Sequence, residues 1–376
     1  MGGLVTSHGA GLAVPDWPYS CGYNMFFFPI SKWIGGIFFE HTHRLTASLV
    51  GFLTTVLALW MFGRKARPLL RWTGGVLLAA GAGLALLFPA HAAEDLLLCG
   101  IGLAGLVAGF YWPKCDPAPK YLRVLGVTAF VAVVAQGILG GLRVTQLSDK
   151  LGIFHAALAQ LFFLLICSIA LFQSNFWQRL PVQAAEDTHR CRLFFTATTG
   201  LILAQLILGA TMRHQHAGLA IPDFPAAYGK LWPDTSPDAI ARYNQTQLEV
   251  YKPITAAQVE LQMLHRILAL LIFAAAAFGA WHAWRFLGWQ HRLTRFAVVW
   301  FGLVLAQVFL GASTIWTGKS ADVATAHVAC GALCLINGGL ASLVSFRLLA
   351  APAPQWRRME KKEVTTLLAS SSITAK

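Results

Sequence analysis

Four histidines are the residues of this chain whose type and position best suit chemistry. His43, His155, His265 and His327 each lie a turn or two inside the start of a long apolar stretch. A lipid-facing imidazole loses its hydrogen bonds to water, so an ionisable side chain at this depth is by default a candidate functional site. Four histidines at matching depth predict a bound metal.

Glu40 places a carboxylate beside one of these histidines. It is three residues before His43, so both side chains share one face of a helix. The residue at the corresponding position before His265 is the neutral Gln262. This asymmetry predicts that the site with Glu40 is reactive and that the other site holds a permanent cofactor, unless Glu40 only forms an ion pair with Arg44 one turn later.

The elements that must position these residues are membrane helices. The chain is 56% hydrophobic and 12% charged, and its apolar runs of about 20 residues match the length that crosses about 30 Å of hydrocarbon. The pattern predicts an all-α, polytopic membrane protein with nine transmembrane helices. They are expected near residues 37–62, 71–90, 95–112, 121–142, 151–173, 193–211, 260–284, 295–317 and 321–348.

The basic residues predict how the chain lies in the membrane. A net charge of +13 would suit a nucleic-acid partner, but nineteen basic residues lie on one side of the predicted membrane and eight on the other. The positive-inside rule assigns the richer side to the cytoplasm. All four histidines then lie toward the extracytoplasmic side of a cell (inner) membrane, and no nucleic-acid partner is expected.

An internal repeat organises the chain. The phrase Ala-Gln-x-x-Leu-Gly begins at residues 135, 204 and 306, and the loop 217–225 nearly copies the loop 10–18. Such repeats indicate two tandem four-helix halves in a parallel pseudo-two-fold arrangement, related by an axis along the membrane normal.

The repeat also predicts the organisation of the halves. They are 1–190, with an outer segment at 1–36 and an inserted helix pair at 71–112, and 191–350, followed by a polar cytoplasmic tail at 351–376. Gly2 occupies the place of Gly209 at the end of a helix. The register therefore predicts a helix ahead of Gly2, and the alternative is a protein that exports its outer segment without one.

Two facing imidazoles suit a haem iron, because the porphyrin fills the other four coordination positions. Cofactor sites in four-helix bundles are built from facing side chains, which pairs His43 with His155 and His265 with His327. A di-iron site would need more Glu-x-x-His motifs than the one at residues 40–43. Structural zinc would need four ligands at short spacing.

Other polar side chains near the histidine helices have ordinary explanations. His41, His214 and His216 are expected at the rim or in loops, where water satisfies them. Arg44 and Arg266 could pair with haem propionates or could extend to lipid head groups. The glutamine of the repeated phrase is expected to join neighbouring helices.

These residues resemble the heme A synthase family of bacteria and mitochondria. The matching pieces are Glu40 to Arg44, Gln136 to Val144, His155, His265 with Arg266, His327 and the loop 11–18. Members of the family have eight spans in two four-helix halves, so the chain is similar to them with the first helix absent and 71–112 inserted. Only Cys21 stands where many bacterial relatives have a cysteine pair.

The resemblance implies a reaction, the oxidation of the C8 methyl group of haem O to the formyl group of haem A for terminal cytochrome oxidase. Haem O would bind between His43 and His155, and haem b between His265 and His327, with Glu40 as the catalytic acidic residue. The implied partners are haem O synthase, the assembly of cytochrome oxidase and an electron acceptor that the sequence does not identify.

Two other classes of function remain open. A diheme cytochrome b that only carries electrons explains four histidines equally well, but it does not explain the difference between Glu40 and Gln262. A haem transporter would require histidines on both sides of the membrane, and the inner side offers only His189, His282 and His291. A formyl-bearing product formed from haem O would support the enzyme.

Overall fold

α-Helices build the described part of the chain, which comprises residues 1–87, 92–180, 188–246 and 253–348 of the computed structural model. In chain order they are α1 (Gly2–Ser7), α2 (Gly35–Phe62), α3 (Ala66–Leu87), α4 (Ala92–Tyr111), α5 (Lys120–Gln146), α6 (Asp149–Gln173), α7 (Asn175–Gln178), α8 (Thr188–His214), α9 (Pro237–Thr246), α10 (Ala256–Leu287), α11 (Arg292–Trp316) and α12 (Ala321–Leu348). The predicted all-α fold is confirmed. The predicted tail at 351–376 lies outside the described residues.

Eight helical stretches of the described residues are long and apolar enough to cross a membrane. The first, residues 35–87, would extend about 80 Å at 1.5 Å per residue, more than twice the hydrocarbon thickness. It divides into α2 and α3 at Gly63, which has a φ of +52° and where a Cβ would lie 2.5 Å from the Cys115 carbonyl oxygen. The described residues therefore contain nine long helices, and the predicted polytopic membrane protein is confirmed.

The inserted residues form a tight helical hairpin. Its helices α3 and α4 run from residue 66 to residue 111, close to the predicted 71–112. A Cβ on Gly74 would lie 2.4 Å from the Leu106 amide nitrogen, and one on Gly102 would lie 2.4 Å from that of Leu78. Because glycine has no side chain, the two backbones come into contact at these positions, where a Cβ would not fit.

A first compact unit comprises residues 1–169 with two short segments, 213–216 and 319–325. Within it α2 packs along α5, and α1 contacts α2. The unit holds α1 to α5 and most of α6. His43 and His155 both belong to this unit.

A second compact unit comprises, among the described residues, those of 170–212, 217–318 and 326–348. Its core contains the buried Trp300, whose indole N–H donates to the Cys334 carbonyl oxygen at 2.8 Å. His265 and His327 both belong to this unit. The assignment of one haem site to 1–190 and another to 191–350, related by an axis along the membrane normal, stays a prediction.

Candidate functional site

The first histidine pair lies together in the first unit. His43 is in the third turn of α2 and His155 in the second turn of α6. Their ring centroids are 6.5 Å apart and the ring planes are at 88°. Two imidazoles whose nitrogens each bind one first-row metal ion at about 2 Å, the value for zinc, have centroids roughly 6 Å apart, so the spacing suits two ligands of a single iron.

Each of the four histidine rings lies against a glycine of another helix. A Cβ built on the glycine would lie 3.1–3.3 Å from the ring Cε1 atom in three of the pairs, which is tighter than most carbon contacts, and 3.5 Å away, an ordinary contact, at Gly2. The pairs are His43 with Gly2, His155 with Gly140, His265 with Gly209, and His327 with Gly311. The repeat register predicted Gly2 as the counterpart of Gly209. In the structure each contacts the corresponding histidine, His43 for Gly2 and His265 for Gly209.

The second histidine pair lies in the second unit. His265 is in the third turn of α10 and His327 in the second turn of α12, within electrostatic interaction distance of each other. The Nδ1 atom of His265 is buried and has no hydrogen-bond partner among the described residues. A buried ring nitrogen without a hydrogen-bond partner is available to bind a metal.

The glutamine of the repeated phrase contacts the histidine helix each time. Gln136 donates its side-chain amide to the His155 carbonyl oxygen at 2.9 Å, and Gln205 does the same to His265 at 2.9 Å. The side-chain nitrogen of Gln307 lies 3.4 Å from Nε2 of His327. The glutamines join neighbouring helices, as predicted. That each one contacts a histidine could not be predicted from the sequence, apart from the repeat itself.

The His155 ring has the environment of an oriented metal ligand. Its Nδ1 atom lies 3.1 Å from the Gln136 carbonyl oxygen. A carbonyl accepts only from a protonated nitrogen, so this contact assigns the proton to Nδ1 and leaves Nε2 available for iron.

The two copied loops fold alike. In each loop, an aspartate accepts hydrogen bonds from the backbone N–H groups of the fifth and sixth residues after it, and an X-Pro bond is cis. The aspartate bonds are Asp16 with Cys21 and Gly22, both at 2.7 Å, and Asp223 with Tyr228 and Gly229, at 2.7 and 2.8 Å. The aspartate therefore closes the loop, a role that the sequence did not reveal.

Two ionisable groups of these loops have shifted pKa values. Partial burial opposes the ionisation of Asp16, but the amides of Gly22 and Cys21 outweigh it and hold the pKa of this carboxyl below its usual value. Burial, followed by the nearby Tyr243 and Asp223, raises the pKa of Tyr228 to about 12. Near neutral pH the Asp16 carboxyl is therefore ionised and the Tyr228 hydroxyl is protonated.

Glu40 and Gln262 hold their loops by the same hydrogen bond. The Val14 amide donates to Oε2 of Glu40 at 2.9 Å, and the Ile221 amide donates to Oε1 of Gln262 at 2.7 Å. Both side chains are buried, with 4% and 2% of their surface exposed. The same place in the fold accepts a carboxylate in one half and a neutral amide in the other.

The two arginines after the histidines bind the backbone of the same loops. Arg44 also forms an ion pair with Glu40, at 2.9 Å, a pair that the sequence left open as the alternative explanation for Glu40. The carbonyl acceptors of Arg44 are Val14, Asp16 and Tyr19 at 2.6–2.9 Å, and those of Arg266 are Asp223 and Ala226 at 2.7 and 2.9 Å. Contacts of either arginine with haem propionates stay a prediction.

Two histidines that were expected to meet water are shielded from it, one fully and one in part. His41 is fully buried: its Nδ1 lies 3.1 Å from the Ser20 hydroxyl, and its ring packs on Phe28 and Trp33. The prediction failed because the outer segment folds back over the start of α2. His214 has 9% of its side chain exposed and lies 3.7 Å from a carboxylate oxygen of Asp149, whereas His216 is exposed as predicted.

The residues present fit haem better than a bare metal ion. Among the described residues no group of three or more His, Cys, Asp or Glu side chains is placed to hold a metal. A pair of imidazoles, each beside a glycine that leaves its ring room, suits an iron whose other positions a porphyrin supplies.

The fold defines a multi-pass membrane protein that has two pairs of histidines in similar surroundings. The chain belongs to the family of cytochrome oxidase assembly proteins, whose family model matches residues 97–337. The resemblance read from the motifs is thereby confirmed. His155, His265 and His327 lie inside the matched residues, whereas Glu40 and His43 lie before them.

Proteins named heme A synthase are similar to this chain. One from Azorhizobium caulinodans is 25% identical over 265 residues, which are 62% of this chain and 71% of that protein. One from Bacillus mycoides is 25% identical over 208 residues, 54% of this chain and 60% of that protein. One from Lysinibacillus sphaericus is 22% identical over 209 residues, 55% and 62% respectively. The chain thus spans between 60% and 71% of these relatives.

Proposed function

We propose that this protein oxidises the C8 methyl group of haem O to a formyl group and so supplies haem A for cytochrome oxidase. The substrate haem O binds between His43 and His155, and a resident haem b binds between His265 and His327. The family, and relatives whose name is heme A synthase, support the reaction. The repeated histidine and glycine contacts support the two sites.

The difference between Glu40 and Gln262 carries the proposal. Gln262 shows that a neutral amide is enough to hold the loop by its backbone amide. Arg266 is held by loop carbonyls and forms no ion pair with a carboxylate in the described ranges, so Arg44 does not need Glu40 for that purpose. The charge of Glu40 therefore has a use that the shared scaffold does not explain.

Glu40 suits proton transfer or charge stabilisation at the first site. With water as the oxygen source, conversion of a methyl to a formyl group releases four electrons and four protons, and positive charge develops at the carbon. A buried carboxylate on the helix face of His43 can accept such a proton or stabilise that charge. Arg44, at 2.9 Å, orients it. A haem b at the second site supplies electron transfer when it is bound.

The cellular setting follows from the same proposal. The bias of basic residues supports an orientation in which the sites lie toward the extracytoplasmic side of the cell membrane. A haem O synthase supplies the substrate, the assembly of cytochrome oxidase consumes the product, and an external acceptor takes the electrons.

A diheme electron carrier is the second candidate. The matched contacts of the four histidines favour it as much as they favour an enzyme, because both functions need two haems. The carrier leaves haem O unchanged, and it gives no use to a charge at Glu40 alone.

Extraction of haem from cells that make haem O separates the two candidates. We expect chromatography to show haem A when the full chain is present, and only haem O when it carries His155→Ala. The matched control is His216→Asn, at an exposed histidine, which should behave as the unaltered chain. Unmodified haem O with the unaltered chain would reject the enzyme.

A further inference from the structure

Arg143 is a cation beside the first histidine pair and has no ion-pair partner within the described residues. It is half-buried near the end of α5, three residues after Gly140, the glycine against which His155 lies. Its charge acts on both His43 and His155. In the parts of the chain that the structure describes, no carboxylate forms an ion pair with Arg143.

The acidic side chains of the neighbouring loop and helix already have partners. Glu40 accepts from Arg44 and from the Val14 amide. Asp16 accepts from the amides of its own loop. Among the described residues the half-buried guanidinium of Arg143 therefore has no hydrogen-bond or ion-pair partner, which favours an anion from outside the chain.

Arg143 is the only charged residue among the four equivalent positions of the repeat. Its counterparts, three residues after each glycine that contacts a histidine, are uncharged: Val5, Met212 and Thr314. The Thr314 hydroxyl donates to the Leu310 carbonyl oxygen of its own helix at 2.9 Å. The second site therefore offers no side-chain charge at this position.

A glycine of the first loop makes room for the Arg143 side chain. A Cβ on Gly11 would lie 2.7 Å from one guanidinium nitrogen of Arg143 and 3.0 Å from the other. The counterpart of Gly11 in the second loop is Gly218, where a Cβ would meet nothing within 4 Å. The guanidinium is thus seated on the loop that Glu40 holds, at the first site alone.

We propose that Arg143 binds a carboxylate of the substrate, a propionate group of haem O, and so orients the porphyrin at the first site. This inference rests on the proposed function. The planar fork of an arginine matches a carboxylate with two parallel hydrogen bonds, and such charge-assisted pairs are stronger than neutral ones. The same fork would also match the phosphate of a lipid head group.

Spectral titration of the full chain with haem O and with its dimethyl ester tests the contact. The ester keeps the porphyrin but has no propionate charge. We expect the unaltered chain to bind haem O about ten- to a hundredfold more tightly than the ester, the range for a charge-assisted hydrogen bond. Arg143→Gln should bind both at the level of the ester, and Arg143→Lys should recover part of the preference. Lys150→Gln, which removes an exposed cation at the start of α6, should leave the preference unchanged.

Gly11→Ala supplies a second variant that keeps the charge. The added methyl group displaces the guanidinium, so the preference for haem O over the ester should fall, whereas Gly218→Ala should not change it. An unchanged absorption spectrum of the resident haem in each variant shows that the protein is folded. Full preference for haem O in Arg143→Gln would overturn the proposal.

Lipid composition separates the two sources of anion. The titrations are run in lipid-free detergent and in nanodiscs of phosphatidylcholine with or without phosphatidylglycerol. An effect of Arg143→Gln that appears only with phosphatidylglycerol, and equally for haem O and its ester, would make Arg143 a lipid anchor and reject the proposal. An Arg143-dependent preference in a chain that leaves haem O unoxidised would reject the proposed enzyme and leave this inference standing.

Discussion

The two histidine sites share a scaffold and differ in charge. Both place a pair of histidines against glycines, and both are covered by a loop closed by an aspartate and held by an arginine. Only the first has a carboxylate where the second has an amide, and a guanidinium where the second has a hydroxyl. The pairs are Glu40 with Gln262 and Arg143 with Thr314. Under the proposed function, the repeated parts bind haem and the unrepeated charges decide which site reacts.

Glu40→Gln is the substitution with the largest expected effect. Gln262 shows that an amide fits the same hydrogen bond, so the loop and haem binding should survive. Conversion of haem O should fall by about a hundredfold or more, the range for loss of a general acid or base. The measurement is the ratio of haem A to haem O after extraction.

Gln262→Glu is the matched substitution at the second site. The new carboxylate can pair with Arg266 one turn later, as Glu40 does with Arg44. We expect the conversion of haem O to stay within about twofold, because the buried carboxylate gains Arg266 as a partner and lies away from the reacting carbon. Normal conversion in Glu40→Gln, or equal loss in both variants, would remove the functional difference between the sites.

Alanine at the histidine-contacting glycines should weaken haem binding at the site concerned. A Cβ on Gly140 would lie 3.1 Å from the His155 ring, and one on Gly311 would lie 3.1 Å from the His327 ring. Either ring must tilt, and disturbed support of a metal ligand costs about 10- to 100-fold in affinity. Gly140→Ala should affect substrate binding, and Gly311→Ala the resident haem.

The same two helices offer control glycines with open space. A Cβ on Gly137 of α5 or on Gly302 of α11 would meet nothing within 4 Å. Gly137→Ala and Gly302→Ala should therefore leave both haem spectra unchanged and, by their better helix propensity, stabilise the helices slightly. Haem loss in the controls equal to that in Gly140→Ala would contradict a specific role for the contacts.

Acid should open the first loop through Asp16. The pKa of this carboxyl is lowered in the folded loop, so its stabilising effect is present above the unfolded value of about 3.9 and is lost as pH falls through the lower folded value. Hydrogen exchange of the Cys21 and Gly22 amides, corrected for the intrinsic effect of pH, should rise in that range. Asp16→Asn should show faster exchange at neutral pH and no acid step, and an acid step that persists in it would assign the effect to another group.

The helices could be predicted from the sequence because each is a long apolar run that must cross hydrocarbon. The observed helix at 120–146 was expected at 121–142, and the one at 321–348 was expected with the same bounds. The repeat further predicted that Gly2 and Gly209 are equivalent, and their contacts with His43 and His265 agree.

The contacts of the loops could not be predicted, because they depend on how the outer segment folds over the helices. The burial of His41 by Phe28 and Trp33 has no periodic signal. The bond of Glu40 to the Val14 amide joins residues 26 positions apart. The copied loops indicated that these segments have one structure, but not which atoms their aspartates and arginines bind.

The number of bis-histidine haems in the purified chain tests the central claim most directly. After reconstitution with haem O, low-spin absorption and paramagnetic resonance spectra should show two haems in the unaltered chain and one each in His155→Ala and His327→Ala, with the lost haem being the substrate in the first variant and the resident haem in the second. A single haem in the unaltered chain, or the loss of both haems in either variant, would contradict two separate histidine sites.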